Sequence, residues 1–575
     1  MFLRKNFSHK TGRTHLAIVQ GYRDANGKNR HKTVKTLGYL DELQKQFSDP
    51  ISHFTEIAKQ MNSERLANCV VTINLDLTEQ LERGGINRKN YGHLVFSKLY
   101  HELEIDRFLN NARRHKNFEF NSEAIMRLLL YSRLLSPSSK RAAHLDRGRF
   151  FDSFEFTLYD VYDALTHFNE ISEPLQRYIH EKVVHQYGRN TDLVYYDVTN
   201  YYFEIDKQDD FRRKGASKEK RKSPIVQMGL LMDTFGLPIS YKLFPGNTHD
   251  SQTLMPMLAN LKKQIAVKRV VTVADKGLNS GDNIAFSASL GDGYIYSKSI
   301  RGASEEFKKW VLDERGYHIT SKTKIKSKLV PDAEIWVSME QVGKKTKRKK
   351  MKVEQKWIVF YSKKYATRAK HKREEAIAKA LKMIASPSKY KSSFDYGVAG
   401  YIKNLKIDKS TGEISNIEDT LFLDLQKIEE EEQYDGYYAL ITSELDNTDE
   451  QIIEIYKGLW RIEESFKITK SVFKSRPVFL HSEEHINAHF LICFLALLIG
   501  RIAEKRLGGK HTIAEITETL NKISCTHLEQ NIWIFDFAND FIDEINVAFE
   551  TDFGKKAMQL HEIKSNLANT KQSKL

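Results

Sequence analysis

Apolar residues follow two rhythms along this chain, and the places where one gives way to the other mark its divisions. A two-residue rhythm comes first. Thr14–Gly21 (THLAIVQG) and His31–Leu40 (HKTVKTLGYL) are strand-like runs flanking the turn-prone Asp24-Ala25-Asn26-Gly27, so residues 1–75 are expected to form a small β unit. Residues 76–185 change to apolar spacings of three and four, as in Ser122–Leu135 (SEAIMRLLLYSRLL) and Ser172–Tyr187 (SEPLQRYIHEKVVHQY), which predicts a helical region. Four short β-branched and aromatic runs follow: Asp192–Phe203, Pro224–Met232, Pro238–Phe244 and Lys268–Ala274. Asp233-Thr234-Phe235-Gly236 reads as a hairpin turn between the second and third, and Asp250–Ile265 as a helix before the fourth. Strand, hairpin, helix, strand predicts an α/β fold with a mixed sheet, the first part of a core at 186–300.

Residues 301–433 break that pattern. They contain alternating strands (AEIWVSM at 333–339, KWIVFYS at 356–362), the basic run GKKTKRKKMK at 343–352 and an acidic run Glu429–Glu432, and read as a β-rich insertion. The core resumes over 434–505 with a strand at Gly436–Thr442 and a long helix over 449–473, and 506–575 is expected to be a helical C-terminal region and tail. The longest apolar run, Ala488–Gly500, is shorter than the roughly 20 residues of a bilayer span and predicts a buried core helix, so no membrane partner is expected.

Charge and cysteine narrow the picture. Lys and Arg total 90 against 75 Asp and Glu, a net charge of +15, which suits a polyanionic partner because contacts to phosphate release condensed counterions. Cys69, Cys493 and Cys525 stand far apart with no Cys-x-x-Cys pair, which excludes a disulfide framework or a cysteine zinc site and fits a reducing, cytoplasmic setting. The first ten residues carry no apolar stretch of the kind that marks a signal peptide, and the terminal Ser573-Lys574-Leu575 is read as coincidental.

Three acids stand out. Asp197 lies inside YYDVTNYY, a run too apolar for a surface loop, and a carboxylate buried there needs a partner such as a divalent metal. Asp275 follows the strand ending at Ala274, and the carboxyl ends of strands are where open α/β sheets gather their sites; a helix cap is the competing reading. In the helix containing YKGLWRIEESFKITK, Tyr456, Leu459, Glu463, Lys467 and Lys470 recur at three and four, one carboxylate among lysines on a common face. An exposed face with an i,i+4 Glu–Lys pair accounts for that spacing equally well.

The segment Tyr456-x2-Leu459-x3-Glu463-x6-Lys470 resembles the YREK signature of bacterial cut-and-paste insertion-sequence transposases with a DDE triad. So do DVTNYYFE at 197–204, GLLMDTFGLPISYKLFPGNTHDSQTL at 229–254, ADKGLNS at 274–280 and RPVFLHSEEHINAHFLICFLALLI at 476–499. The signature's Arg falls on Leu459, and Arg461 lies about 200° further round the helix. The resemblance implies an RNase H-like catalytic core with a β-rich insertion, preceded by a DNA-end-binding region. It implies catalysis by Asp197, Asp275 and Glu463 holding two Mg²⁺ ions (Mn²⁺ able to substitute), with Tyr456, Lys467 and Lys470 on DNA phosphates. The implied partners are the inverted-repeat ends of an element and target DNA, met by a homodimer in a synaptic complex, bacterial and nucleoid-associated. No nucleotide cofactor is implied, and no G-x-x-x-x-G-K-[ST] loop is found. A transposase-derived protein that binds without cutting, and an RNase H-like nuclease that cuts without joining, are the alternatives.

Other patterns carry blander expectations. His144-Leu145-Asp146-Arg147 matches a recombinase triplet by chance, and His485 with His489 lacks the Glu of a zincin. Asp250 is expected to cap the following helix, Trp460 to be core, and the clusters at 212–222 and 343–352 to be basic loops.

Overall fold

The computed structural model describes the chain apart from residues 9–10, 24–28, 68–77, 79, 81–84, 115, 216–222, 265–267, 321–322, 343–344, 387–397, 399, 404–420, 529–530 and 573–575. The Asp24–Gly27 turn, Cys69, most of the 212–222 cluster and the last three residues therefore lie outside it. Two compact units are present, Met1–Arg83 and Gly84–Leu575.

In the first unit β1 (Phe2–Ser8), β2 (Arg13–Arg23) and β3 (Asn29–Tyr39) form an antiparallel sheet in that order. The helix Pro50–Ala67, which the sequence reading missed, closes it. Leu16, Leu43 and Phe54 are its buried core. Phe54 stands three residues after Ile51 and three before Ile57, a spacing that reaches one helix face but is diluted by polar neighbours.

The second unit opens with β4 (Arg88–Asn90), then helices that include Ser122–Leu135, Leu158–Glu170 and Ser172–Tyr187. The central sheet follows: β5 (Leu193–Tyr202), β6 (Ile225–Met232), β7 (Pro238–Pro245), β8 (Val271–Ala274) and β9 (Gly293–Lys298). The sequence from 301 to 442 adds β10 (His318–Ile319), β11 (Lys324–Val342), β12 (Lys345–Tyr361), the small pair β13 (Ile402–Lys403) and β14 (Phe422–Leu423), and β15 (Tyr437–Thr442). The nine-stranded order is β10-β11-β12-β15-β9-β8-β5-β6-β7. Strands β5, β8 and β9 run parallel, whereas β5-β6-β7 form an antiparallel meander. That arrangement, first strand in the middle, two hairpin strands on one side and two parallel strands on the other, is an RNase H-like core. The long hairpin β11–β12 joins the same sheet through β15, so residues 345–352 are strand rather than the basic loop expected.

A 24-residue helix, Glu483–Arg506, runs through the interior, with Ala488 to Ala503 buried. By length and composition it could cross a membrane, yet 94% of its most apolar window is covered by the protein itself. The region after 506 is not wholly helical. β16 (Ser524–His527), β17 (Ile532–Phe535) and β18 (Ala557–Gln559) form a second sheet that recruits β4, with Ser524 opposite Asn90. These strands are three or four residues long, too short for an alternation to show.

The β6–β7 turn is held by a buried ion pair. Asp233 accepts from the backbone N–H groups of Phe235 and Leu237, both at 2.9 Å, and from Arg189 Nε at 2.8 Å. Arg189 also donates to the Pro238 carbonyl at 2.9 Å, and both side chains are essentially unexposed. Removing one partner strands the other charge, so Asp233→Ala should destabilise the protein by about 3–5 kcal/mol. Urea unfolding of the full chain measures this; a midpoint indistinguishable from wild type would remove the ion pair from the account of the turn.

Candidate active site

The period-two geometry of β5 sends Tyr195, Asp197, Thr199 and Tyr201 to one side of the sheet and Val194, Tyr196 and Val198 to the other. The second set is buried against Leu254, Leu258, Ala274 and Tyr296. The first set meets two helices, Asp449–Lys457 and Trp460–Ser471. Tyr195 Oη donates to the Ile455 carbonyl at 3.0 Å. Lys470 Nζ donates to Thr199 Oγ1 at 2.8 Å, and Tyr201 Oη shares a 2.8 Å hydrogen bond with Thr469 Oγ1. The helix pair thus runs along this face, contacting it on both sides of Asp197, which is itself partly buried.

Register brings in the second acid. Tyr195 pairs with Val273 in the parallel β5–β8 ladder, so two residues further on Asp197, in the middle of β5, stands level with Asp275, just past the end of β8. Ala274 pairs with Tyr296, which sets Ser297 beside Asp275, and Ser297 Oγ donates to Asp275 Oδ1 at 2.6 Å. The same oxygen accepts from Tyr456 Oη at 3.3 Å, and Tyr456 is bonded in turn to Tyr438 Oη at 3.0 Å. Burial, then the neighbouring Tyr438 and the Asp275 charge, raise the Tyr456 hydroxyl above the ordinary phenol range, which keeps it a donor. Asp275 is followed by the short turn Lys276–Leu278, and no side-chain cap is made by Asp275 there.

Glu463 is exposed in the first turn of Trp460–Ser471. It lines a cleft of about 750 Å³ together with Lys276, Ser297, Tyr456 and Trp460. Among the described residues, six cations (Lys276, Lys298, Arg301, Arg368, Lys372 and Lys457) line the same cleft with Glu463 as the acid. Burial lowers the Lys298 pKa from its ordinary value. Among the described residues, no group of three or more His, Cys, Asp or Glu is gathered closely enough to hold a metal ion. Two acids are level on neighbouring strands, and the third stands on a helix packed over their face. The donor set is all-oxygen, as a hard divalent cation requires, and the neighbouring strands β5 and β8 supply two of its members. The set fits such an ion provided the exposed Glu463 side chain turns inward.

Several expectations change. The helix is broken at Gly458–Leu459, where Gly458, Leu459, Arg461 and Ile462 bond three residues back rather than four. This tighter turn rotates the phase, so Tyr456 and Leu459 are buried while Glu463 and Lys467 are exposed. Tyr456 directs its hydroxyl to Asp275 rather than to an open surface. Arg461 turns away from Glu463, its side chain against Gly236 in the β6–β7 turn. Trp460 is 53% exposed and lines the cleft, so it is not core. His249, not Asp250, accepts from Ser251 N at the following turn, and the Asp250 carboxylate lies close to Gly277. His144 and Arg147 bond the Phe156 and Phe154 carbonyls and tie down a loop. His485 reaches Thr166, whereas His489 bonds Lys140, so the two do not form a pair. Ser297, Tyr438 and Thr199 were not singled out from sequence, although Thr199 is the next same-face residue after Asp197.

A family model described as the transposase DDE domain matches residues 197–499, just over half of the chain, and one described as the N-terminal domain of IS1634 family transposases matches residues 3–69. No curated protein matches. Among solved structures, the Mos1 transposase paired-end complex with left transposon end is similar at 10% identity and a TM-score of 0.14. That match spans 42% of this chain and 66% of that one, and at such a score it carries no argument.

A Cβ at Gly458 would lie 2.1 Å from Tyr195 Oη. Gly458→Ala should therefore cost about 1–3 kcal/mol through overpacking at the break between the two helices. Tyr195→Leu should relieve much of that cost in the double variant, as thermal melts of the four proteins would reveal. Additive losses would show that Gly458 is needed for something other than the approach of Tyr195.

Proposed function

Because the chain belongs to the insertion-sequence transposases with a DDE domain, enzymes that cleave and transfer DNA strands, we propose that Asp197, Asp275 and Glu463 are its catalytic and metal-binding acids. The observation that supports this most is the β5–β8 register, which levels Asp197 with Asp275 under the helix bearing Glu463, beside a cleft lined by cations. The matched segment begins at Asp197 and includes all three acids.

The chain's own residues divide the work. Ser297 and Tyr456 both donate to one oxygen of Asp275 and fix its orientation. Lys470, next to Thr199 on the Asp197 face, is placed to hold a strand by its phosphate as a point charge, and exposed Lys467 extends that contact. Lys276, Arg301, Arg368 and Lys372 neutralise the DNA backbone entering the cleft. When bound, two Mg²⁺ ions (or Mn²⁺) would activate the attacking hydroxyl and stabilise the leaving oxygen. Leu459, buried where the YREK signature carries Arg, supplies no phosphate contact. The substrates are the inverted-repeat ends and a target, paired by a homodimer, with residues 1–75 selecting the ends and the bacterial nucleoid as the setting.

Asp197→Asn, Asp275→Asn and Glu463→Gln should each cut end cleavage by at least about 10³-fold, as expected where a charge-stabilising group is lost, with gel-shift binding of the ends retained. A chelator should abolish wild-type cleavage, and added Mg²⁺ should restore it. Glu463→Gln retaining cleavage within ten-fold would exclude it from the triad, and wild type that binds ends but never cuts would favour the binding-only reading.

Lys470→Ala should weaken both end binding and cleavage by about 10–100-fold, the effect of one charged hydrogen bond of about 1.5–3 kcal/mol, with the fold intact by circular dichroism. Complete loss of cleavage with undiminished binding would instead make Lys470 part of the chemistry.

A further inference from the structure

We propose that a second, separate pocket, behind the C-terminal end of Trp460–Ser471, binds a phosphate-class oxyanion. It has a volume of about 270 Å³ and is lined by Arg133, Lys140, Lys474, Arg476 and His489 with an apolar wall that includes Val478. Among the described residues no Asp or Glu lines it.

Two of these cations are nearly fully buried, Arg133 and Lys140 at 6% exposure each. Arg133 donates to the carbonyls of Phe473 at 2.8 Å and Ser138 at 3.2 Å, both neutral acceptors. Among the described residues its buried Nε has no hydrogen-bond partner. Lys140 Nζ donates to His489 Nδ1 at 2.8 Å, and His489 Nε2–H donates to the Ser475 carbonyl at 3.1 Å, which fixes a neutral imidazole. Burial, and then the Arg133 charge, push Lys140 down to about 7, and burial with Lys140 and Arg133 holds His489 well below its ordinary value.

Neighbouring buried cations without an anion are costly, since desolvation and mutual repulsion add. A tetrahedral oxyanion removes both costs: it places negative charge beside Arg133 and Lys140, both of which line the pocket, while Lys474 and Arg476 stand at the mouth. Position gives the pocket a connection to the first site. Arg476 lies 5.6 Å over the Tyr202 ring, and Tyr202 is five residues beyond Asp197 on β5, about 17 Å at strand rise. At about 3.4 Å per nucleotide that is some five nucleotides along a DNA strand. A backbone phosphate of bound DNA and free inorganic phosphate are therefore the two sources of the same chemistry.

The test is calorimetric titration of the full-length protein with inorganic phosphate, for wild type, Lys140→Met and Arg476→Gln. Saturable one-to-one binding by wild type, weakened about ten-fold or more in each variant, is expected. Arg476→Gln, at the half-buried mouth, keeps the test decisive if Lys140→Met does not fold. No saturable binding by folded wild type, or wild-type affinity in every folded variant, would overturn the proposal. Repeating the titration on a complex with a duplex carrying the element's end separates the sources: phosphate excluded by the duplex points to a DNA phosphodiester, and phosphate still bound points to the free anion. None of these readouts depends on cleavage, so failure of the triad assignment would leave this result standing.

Discussion

The parallel pairing of β5 with β8 is the constraint on which the site depends. It sets Asp197 of β5 level with Asp275, the residue after β8, on neighbouring segments about 4.8 Å apart, an arrangement that two carboxylates resist. At an effective dielectric near 20 two such charges 5 Å apart repel by about 3 kcal/mol. The fold answers with donors: Ser297 and Tyr456 on Asp275, and Lys470 seated at Thr199 on the Asp197 face. Each of these donors offsets part of the repulsion between the two carboxylates.

The same face explains the packing around it. Tyr195 and Tyr201, on either side of Asp197 and Thr199, are large enough to reach the overlying helices and are anchored there by their hydroxyls to Ile455 and Thr469. Two tyrosine posts hold the helix pair off the strand, and the shorter Asp197 and Thr199 occupy the space between. Gly458 allows the first post to close against the chain, at the cost of the helix break that buries Leu459 and exposes Glu463. Beneath, Phe490 of the long interior helix packs on the Tyr201 ring at 4.6 Å, so the apolar core and the carboxylate face share one strand.

Much of this was legible because its signals are local. The apolar, β-branched runs marked β5 to β8 within a few residues, and the turn at Asp233 was visible from its Gly236, which adopts a φ of +81°. Strand alternation alone places Thr199 with Asp197. The break at Gly458 was not legible, because its cause is Tyr195, some 260 residues away, and the helical spacing of Tyr456, Leu459, Glu463 and Lys470 reads through it unbroken. Trp460 was expected to be helix-packing core, but past the tightened turn it is 53% exposed and lines the cleft. Strands β16 to β18 depend on β4, more than 400 residues earlier, and no window of sequence contains both partners.

The segment between the second and third acids raises the question of why 188 residues separate Asp275 from Glu463. An appended module would leave the β9 edge open, and an open parallel edge is a site for unwanted pairing. Here β15 covers that edge in antiparallel fashion, and the hairpin β11–β12 continues outward from it. The helix Lys363–Ala385 follows directly from β12 and brings Arg368 and Lys372 to the cleft, opposite Lys276 and Ser297 of the core. The insertion is therefore one wall of the site. Since β15 leads straight into the helices that carry Tyr456 and Glu463, the pairing that closes the sheet edge also sets where the third acid stands. A change that loosened β12 from β15 would act on the acid and the cations together, although no residue of that ladder is itself one of the three acids.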